Sequence, residues 1–387
     1  MSHWFIIFGI ILVLVIILVV IIRMDSEPKF YYLNNNSTCA TKTGYYNPSD
    51  LGYEENRLLR NEKEKLFVKI KQFVNAPRDA KVIYNSGATE SIATCINWAK
   101  KYNKYGVIYG SEYDHPSVKK NAENMDMKYS TTDTDNISGI FITNVSSKTG
   151  EILSDDKLMF AKQLQSMNMA DSSFDIDESK PITAYKPLVF LDATQSITKI
   201  PIDMEKLGVN AVFFSLHKIG GPMNSGILII NEPDDKPFVP LIAGEQNSGM
   251  RGGTLNEMEL VKHSDIFKMG PSIDSRKQKW QREFDRLKKA GINVYEPKND
   301  HLYNTFLIKS KKHICPMIIV DQLAKQNVCV GTASACKNES EYINGQMVGG
   351  ALNEDSQVRV SFINENDIDN KCVDTIIKTI KDIESSE

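Results

Sequence analysis

The stretch VFLDATQSITKIPIDMEKLGVNAVFFSLHKIGGPMNSGILII, residues 189–230, decides the fold of this chain. Its apolar runs have the length and composition of buried strands, and polar residues follow two of them. Asp192 lies at the end of the first run, and Ser215, His217 and Lys218 lie at or just beyond the end of the next. Open α/β sheets bind ligands at the carboxyl ends of parallel strands. The stretch therefore predicts a ligand site that includes these four residues.

The lysine indicates what that ligand is. Lys218 lies between a hydroxyl, an imidazole and a glycine-rich turn, a setting in which a lysine can form a Schiff base with pyridoxal phosphate. Such a site needs an acidic partner that keeps the pyridine nitrogen protonated, and Asp192 is the candidate. Taken singly, each residue is more often a solvated loop lysine or a turn aspartate. Together they predict a pyridoxal 5′-phosphate site.

The rest of the chain continues the same alternation of strands and helices. The further strand-like runs are KVIYNS, GVIYGS and GIFITNV. Alternation of such runs with helical stretches predicts an α/β fold with a mostly parallel sheet. Residues 51–73 have apolar residues at helical spacing, so we expect the large domain to begin there. After about Asp265 a helical KQKWQREFDRLKKAG, strand-like NTFLIKS and MIIV, and an amphipathic VDTIIKTIKDIE predict a smaller domain.

The first segment predicts a membrane anchor. Trp4 to Ile22 are 19 residues without a charge, and a helix of that length reaches about 28 Å, close to the hydrocarbon thickness of a bilayer. A cleaved signal peptide fits less well, since no basic segment precedes the run and no small-residue cleavage site follows it. Arg23 and Lys29 after the span favour a cytoplasmic catalytic domain.

Composition narrows the function classes. The chain has 46 basic and 49 acidic residues, a net charge of -3, without long blocks of one sign. This pattern does not indicate a nucleic-acid-binding face. Six scattered cysteines without a CxxC motif predict neither a disulfide framework nor a metal site.

The lysine region resembles that of the NifS/IscS-type cysteine desulfurases, a group within the class V aminotransferase fold. The shared pattern is approximately D-A-x-Q, then S-x-H-K and a glycine-rich turn. Further similar stretches follow the family's order: FYYLNNNSTCA, YNSGATES, EYDHPSV, AGEQNSGMRGGTLN, VGTASACKN and VRVSF. The resemblance runs from about Tyr31 to Ile368 and implies a pyridoxal-phosphate-dependent transferase of fold type I. The expected parts are an anchor (1–24), a linker with a leading loop (25–50), the large cofactor-binding domain (51–265) and a small C-terminal α/β domain (266–387).

The resemblance also implies which residues surround the cofactor: Ala88, Thr89, His115, Ser147, Asp192, Gln195, Ser215, His217, Lys218 and Thr254. Ala88, Thr89, Ser215 and His217 are expected at the phosphate. Thr254 is expected to reach the phosphate across the interface of a homodimer. His115 is expected to stack on the pyridine ring and move protons, and Gln195 to donate a hydrogen bond to the phenolic oxygen.

The remaining residues implied by the resemblance define the reaction. Arg359 in VRVSF is expected to clamp the substrate carboxylate, a task that suits its planar fork. Cys336 in VGTASACKN is expected to be the nucleophile. Its thiolate attacks the sulfur of cofactor-bound L-cysteine, which leaves a persulfide on Cys336 and alanine. Lys218, Cys336 and His115 are thus the expected catalytic residues, and a sulfur-acceptor protein such as an iron-sulfur scaffold is the expected partner.

Some positions depart from the family pattern. The family's N-N-E turn is Ser146-Ser147-Lys148 here, so the shorter Ser147 replaces an asparagine that helps bind the cofactor ring. The cofactor lysine, its aspartate, the cysteine and the arginine all remain, which indicates divergence rather than loss of activity. A selenocysteine lyase, an aminotransferase, and a noncatalytic membrane scaffold for sulfur transfer stay open as alternatives.

Overall fold

The computed structural model describes residues 54–385 apart from 135, 154–157, 163–185, 310–313, 333–341, 344–345, 348–356 and 364. A seven-stranded sheet forms its centre. The strands are β1 (Lys81–Asn85), β2 (Val107–Tyr109), β3 (Lys128–Ser130), β4 (Ile137–Thr143), β5 (Leu188–Asp192), β6 (Ala211–Ser215) and β7 (Gly226–Ile230). Their order in the sheet is β1-β7-β6-β5-β4-β2-β3. Strands β3, β2, β4, β5 and β6 pair in parallel, and β7 runs antiparallel to both β6 and β1. The predicted α/β fold with a mostly parallel sheet is confirmed.

Helices cover this sheet. The helices are α1 (Glu54–Phe73), α2 (Ala88–Tyr102), α3 (Pro116–Asn124), α4 (Met204–Leu207), α5 (Glu257–Lys262), α6 (Ile273–Lys289), α7 (Pro316–Ala324) and α8 (Asn370–Ser385). Neighbouring strand residues point to opposite faces, so Phe213 packs in one apolar cluster with α2 and Phe214 packs in another with α1. Because both faces are buried, the strands are continuous apolar runs rather than alternating ones.

A third apolar cluster lies in the C-terminal part of the chain. Strand β8 (Thr305–Lys309) pairs antiparallel with β11 (Gln357–Ser361), and a short pair, β9 (Tyr342–Ile343) with β10 (Gln346–Met347), lies between them in sequence. Trp280 of α6 stacks on Phe306 of β8, with ring centroids 5.5 Å apart. Residues 57–387 form one compact unit, so the division at residues 265 and 266 stays a prediction.

One strand prediction was wrong. The apolar run MIIV lies in α7, where Pro316 occupies the first turn and Ile319 and Leu323 are fully buried four residues apart. A proline is favoured in the first helical turn, and a spacing of four places both side chains on one helix face. A short apolar run alone does not distinguish a strand from a buried helical turn.

The predicted anchor and the loop after it, residues 1–50, lie outside the described residues. Among the helices of the part that is described, none is long and apolar enough to cross a bilayer. The anchor therefore stays a prediction.

Candidate active site

Nine of the predicted site residues lie at one edge of the main sheet. The residues that follow the carboxyl ends of β1, β2, β4, β5 and β6 are, in chain order, Ala88 and Thr89, His115, Ser147, Asp192 and Gln195, and Ser215, His217 and Lys218. Parallel strands direct these ends to the same edge, and ligands of open α/β sheets bind there. A cleft of about 720 Å³ opens beside Ser111 and Thr143, after β2 and at the end of β4, and none of the predicted cofactor residues lines it.

The turn between β1 and α2 is shaped as an anion site. Gly87 has φ 143°, a conformation that only glycine adopts readily, and helix α2 begins at the next residue. The N–H of Ala88 donates to Ser215 Oγ over 2.8 Å, which ties the start of α2 to the end of β6. The N–H group of Thr89 is free of an intrahelical partner by helix geometry, and its side chain is exposed. A helix start of this kind favours a phosphate group.

A buried ion pair joins this turn to the glycine-rich loop that carries Thr254. Arg251 donates from Nε and Nη2 to the two carboxylate oxygens of Glu90, over 2.8 and 3.0 Å. Glu90 also accepts from the N–H of Ser86 over 3.0 Å. Burial opposes ionisation of Glu90, but the bonds from Arg251 and Ser86 prevail and lower its pKa. The sequence analysis missed this pair, because 161 residues separate its two members.

His115 lies between β2 and α3 with a defined tautomer. Its Nδ1 accepts from the N–H of Ser117 over 3.2 Å and lies 2.7 Å from Ser117 Oγ. Burial, and next the charge of Lys218, lower the pKa of His115. The ring is therefore neutral at pH 7, and its proton is on Nε2 because Nδ1 is an acceptor.

Asp114, directly before this histidine, fixes the loop. Its carboxylate accepts from the N–H and Oγ of Ser111 over 2.7 and 2.9 Å, and from Thr143 Oγ1 over 2.6 Å. The hydroxyl of Tyr129 adds a bond of 3.2 Å. The sequence analysis did not identify Asp114, because its partners are spread over three strand ends that only the fold brings together.

Asp192 is a buried carboxyl group whose negative charge is only partly balanced by hydrogen bonds. Burial, and to a smaller extent the negative charge of Asp114, raise the pKa of Asp192 to about 6. The hydrogen bond from the N–H of Thr194 to Oδ1, over 2.9 Å, acts in the opposite direction. A cationic group beside Asp192 would stabilise the ionised form. A protonated pyridine nitrogen is such a group, so the aspartate fits the expected cofactor.

Lys218 and His217 lie in a short 3₁₀ turn, Leu216–Ile219, directly after β6. Both side chains are exposed at the sheet edge. The charge of Lys218 contributes to lowering the pKa of His115, His217 and Lys199, after burial in each case. Lys218 is thus close enough to His115 and to Lys199 in the turn after β5 for its charge to act on both.

Arg359, on the two-stranded sheet of β8 and β11, contacts the turn after β4 that contains Ser147. It lies on β11, and its Nη1 donates to the carbonyl oxygen of Ser147 over 2.9 Å. Burial lowers the pKa of Arg359, but an arginine stays charged at neutral pH. The side chain of Ser147 is exposed. The predicted carboxylate clamp therefore lies beside the predicted cofactor turn, although 212 residues separate them.

Cys336 lies outside the described residues, and the described backbone nearest before it ends at Thr332. Among the described cysteines, Cys95 is fully buried and burial raises its pKa well above the usual value. Burial also raises the pKa of Cys372, so neither thiol has the properties of a nucleophile. Thr254 is described and exposed, but its expected contact lies on a partner subunit.

The chain has recognisable relatives. The model of the family "Aminotransferase class-V" matches residues 43–371. The cysteine desulfurase IscS of Photorhabdus laumondii subsp. laumondii is 27% identical over 290 residues, which cover 68% of this chain and 66% of that protein. IscS of Shewanella loihica is 26% identical over 345 residues, with 80% and 79% covered. This chain thus spans just under two thirds of the first relative's length and more of the second.

Solved structures share the fold. A NifS-like protein has a TM-score of 0.69 at 20% identity, with 89% of this chain and 92% of that chain covered. A NifS-like protein from Rickettsia africae has a TM-score of 0.68 at 18% identity, with 88% and 92% covered. Because the family match covers far more than half of the sequence, the chain belongs to the aminotransferase class-V family, whose cofactor is pyridoxal 5′-phosphate.

Proposed function

We propose that this enzyme is a cysteine desulfurase, which converts L-cysteine to L-alanine and retains the sulfur as a persulfide on Cys336. The observation that carries the proposal is the bridge between Arg359 and Gly331. Gly331 begins the segment of sequence that leads to Cys336. A carboxylate clamp and a thiol on adjoining backbone suit an amino acid whose own sulfur is the reacting atom. The IscS relatives, which carry the name cysteine desulfurase, support this assignment.

The cofactor-binding residues fit pyridoxal phosphate in chemistry and in position. When bound, this cofactor is an electron sink that stabilises negative charge on the carbon next to the amine. Lys218 is the residue that would hold it, and Asp192 would keep its ring nitrogen protonated. Ala88, Thr89, Ser215 and His217 would surround the phosphate, with Thr254 of a second copy. Ser147 and Gln195 would contact the ring and its phenolic oxygen.

Arg359 would orient the substrate. The guanidinium has five N–H donors, and the bond to the carbonyl oxygen of Ser147 uses one of them. The remaining donors suffice for a bidentate pair with a carboxylate. The bond to Ser147 limits the rotation of the side chain, so little conformational entropy remains to be lost when substrate binds.

Lys218 and His115 would move protons. The amine of Lys218 would take the proton from the α-carbon of the substrate and return it later. A neutral amine is needed for the first of these tasks. The neutral ring of His115 offers an Nε2 proton donor on the same side of the sheet edge.

Cys336 would accept the sulfur. Its thiolate forms a bond with the substrate sulfur as the carbon–sulfur bond breaks, and the electron pair of that bond stays with the carbon. A proton then converts the carbon to the methyl group of alanine. The segment GTASACK, with its small residues, suits a loop that must approach the substrate.

Three features of the setting are also proposals. The uncharged run from Trp4 to Ile22 supports an N-terminal membrane anchor with the catalytic part in the cytoplasm. The role expected of Thr254 requires a homodimer. The persulfide requires a sulfur acceptor, for which an iron-sulfur scaffold protein is the first candidate.

The direct test is product analysis with the purified full-length protein. Incubation with L-cysteine and a reductant should give alanine and sulfide in equal amounts, and Lys218→Ala should give neither and lack the visible absorption of bound cofactor. Purified wild-type protein that is colourless after incubation with pyridoxal phosphate and removal of the unbound cofactor would exclude the proposal. A coloured protein that converts L-cysteine to 3-mercaptopyruvate when a 2-oxo acid is supplied as amino acceptor, and releases no sulfide, would instead support an aminotransferase.

A further inference from the structure

Lys199 is a buried lysine beside a predicted cofactor residue. It lies in the turn after β5 and is 9% exposed. Its Nζ donates to the carbonyl oxygen of Gln195 over 2.8 Å and lies 3.5 Å from the side-chain oxygen Oε1 of the same residue. The ammonium is thus fixed over the residue expected to contact the phenolic oxygen of the cofactor.

A second buried cation holds the backbone of Lys199. Arg276 of α6 is 1% exposed, and its Nη2 donates to the carbonyl oxygen of Lys199 over 3.0 Å. Its buried Nε has no hydrogen-bond partner within the described part of the chain. The pKa of Lys199 is lowered to about 8 by burial and by the charges of Arg276 and Lys218.

This arrangement needs an anion. Neither Lys199 nor Arg276 pairs with a carboxylate among the residues that the structure describes. Two buried cations without a counter-charge are expensive for a protein to hold, unless an anionic group binds next to them. The phenolic oxygen and phosphate of pyridoxal phosphate would bring negative charge to this edge of the sheet.

We infer that Lys199 is a positioning residue for the cofactor: its ammonium holds the side-chain oxygen of Gln195, so that the amide N–H₂ faces the phenolic oxygen. An amide offers an acceptor on one side and donors on the other, and a cation at the acceptor side selects the orientation. The charge of Lys199 also stabilises the ionised phenolic oxygen through the same dipole. The inference rests on the proposed role of Gln195.

The test compares four variants of the full-length protein: Lys199→Met, Lys199→Arg, Gln195→Ala and the double variant Lys199→Met/Gln195→Ala. The dissociation constant of pyridoxal phosphate and the pH midpoint of its visible absorption change are measured for each. Lys199→Met should raise the dissociation constant about tenfold. It should also raise the midpoint by about one pH unit, because the protonated chromophore no longer lies near a like charge. Lys199→Arg should keep the wild-type midpoint.

Further comparisons separate positioning from general destabilisation. Lys236→Met is the matched control, since Lys236 is also buried and donates to a backbone carbonyl, that of Lys186. It should leave the midpoint unchanged. The double variant should bind cofactor more tightly than the product of the two single effects predicts, because Lys199 acts through Gln195. If Lys199→Met does not fold, Lys199→Gln replaces it with the same expected shift.

The two proposals fail in different ways. If Gln195→Ala weakens cofactor binding while Lys199→Met changes neither the dissociation constant nor the midpoint, the inference on Lys199 is overturned and the role of Gln195 stands. If Gln195→Ala itself has no effect on cofactor binding, the proposed cofactor contact of Gln195 is wrong, and the inference fails with it.

Discussion

Arg359 and Gly331 are paired in an antiparallel bridge, in which the N–H of each residue donates to the carbonyl oxygen of the other over 2.6 and 3.0 Å. A Cβ at position 331 would lie 3.6 Å from Nη2 of Arg359, an ordinary contact distance, so this backbone lies directly beside the guanidinium. The same guanidinium contacts the carbonyl oxygen of Ser147. The residue expected to bind the substrate carboxylate therefore also fixes the backbone five residues before Cys336.

Replacing Arg359 by lysine should weaken substrate binding without removing the cofactor. A lysine keeps the charge but cannot form the bidentate pair, so we expect the KM for L-cysteine to rise roughly 10- to 100-fold. Steady-state assays of alanine formation measure this, and the visible spectrum reports bound cofactor. Arg282→Lys, at an exposed arginine of α6, is the control and should behave as wild type. An unchanged KM in Arg359→Lys would contradict the clamp.

The Glu90–Arg251 pair should be a strong local contribution to stability. Its side chains are only 9% and 15% exposed, and removing one partner leaves a buried charge unpaired. Glu90→Gln or Arg251→Met should each lower the free energy of unfolding by about 3 kcal/mol, as measured by urea denaturation. Glu62→Gln, in an exposed pair with Lys65, should cost less than about 1 kcal/mol. Strictly additive effects in the double variant would show that the two side chains do not interact.

Asp192 should make the protein less stable when no cofactor is bound. Its pKa is raised to about 6 in the folded chain from 3.8, so the folded state binds the proton more tightly. The stability from this proton is full below pH 3.8 and is lost as the pH rises through about 6. At pH 7.5, Asp192→Asn should therefore stabilise the cofactor-free protein by about 2 kcal/mol, as shown by a higher Tm.

The same substitution should weaken cofactor binding, because the neutral amide cannot balance a protonated ring nitrogen. The side-chain oxygen of asparagine can still accept from Thr194, so the local turn is preserved. A lower Tm of the cofactor-free variant would contradict the assignment of an uncompensated carboxylate, whatever the effect on activity.

Much of the sheet could be predicted from the sequence because its strands are unusually apolar. The runs ending at Asn85, Asp192 and Ser215 are buried on both faces and lie at the predicted positions. Asp192, Ser215, His217 and Lys218 were predicted as site residues for the same reason, since the end of a parallel strand is recognisable without any tertiary contact. The residues after Asn85 were predicted only from the family resemblance. The run MIIV shows the limit of this approach, because four apolar residues suit a helical turn as well as a strand.

The positioning residues could not be predicted in this way. Glu90 contacts Arg251 across 161 residues, and the partners of Asp114 come from separate loops and strands. Lys199 differs, since it lies four residues after Gln195, but a lysine in a polar turn is usually solvated. Arg276 donates to the backbone carbonyl oxygen of Lys199 from 77 residues away, a contact that no local pattern indicates.

The measurement that tests the central claim most directly is the fate of sulfur in Cys336→Ala. The variant should keep the visible absorption of bound pyridoxal phosphate and bind L-cysteine with a spectral change, yet form alanine at least about 100-fold more slowly than wild type. Mass spectrometry of the wild type after incubation with L-cysteine should show a gain of one sulfur atom on the peptide that contains Cys336. Alanine and sulfide production at the wild-type rate by Cys336→Ala, or the added sulfur on another cysteine, would contradict the account.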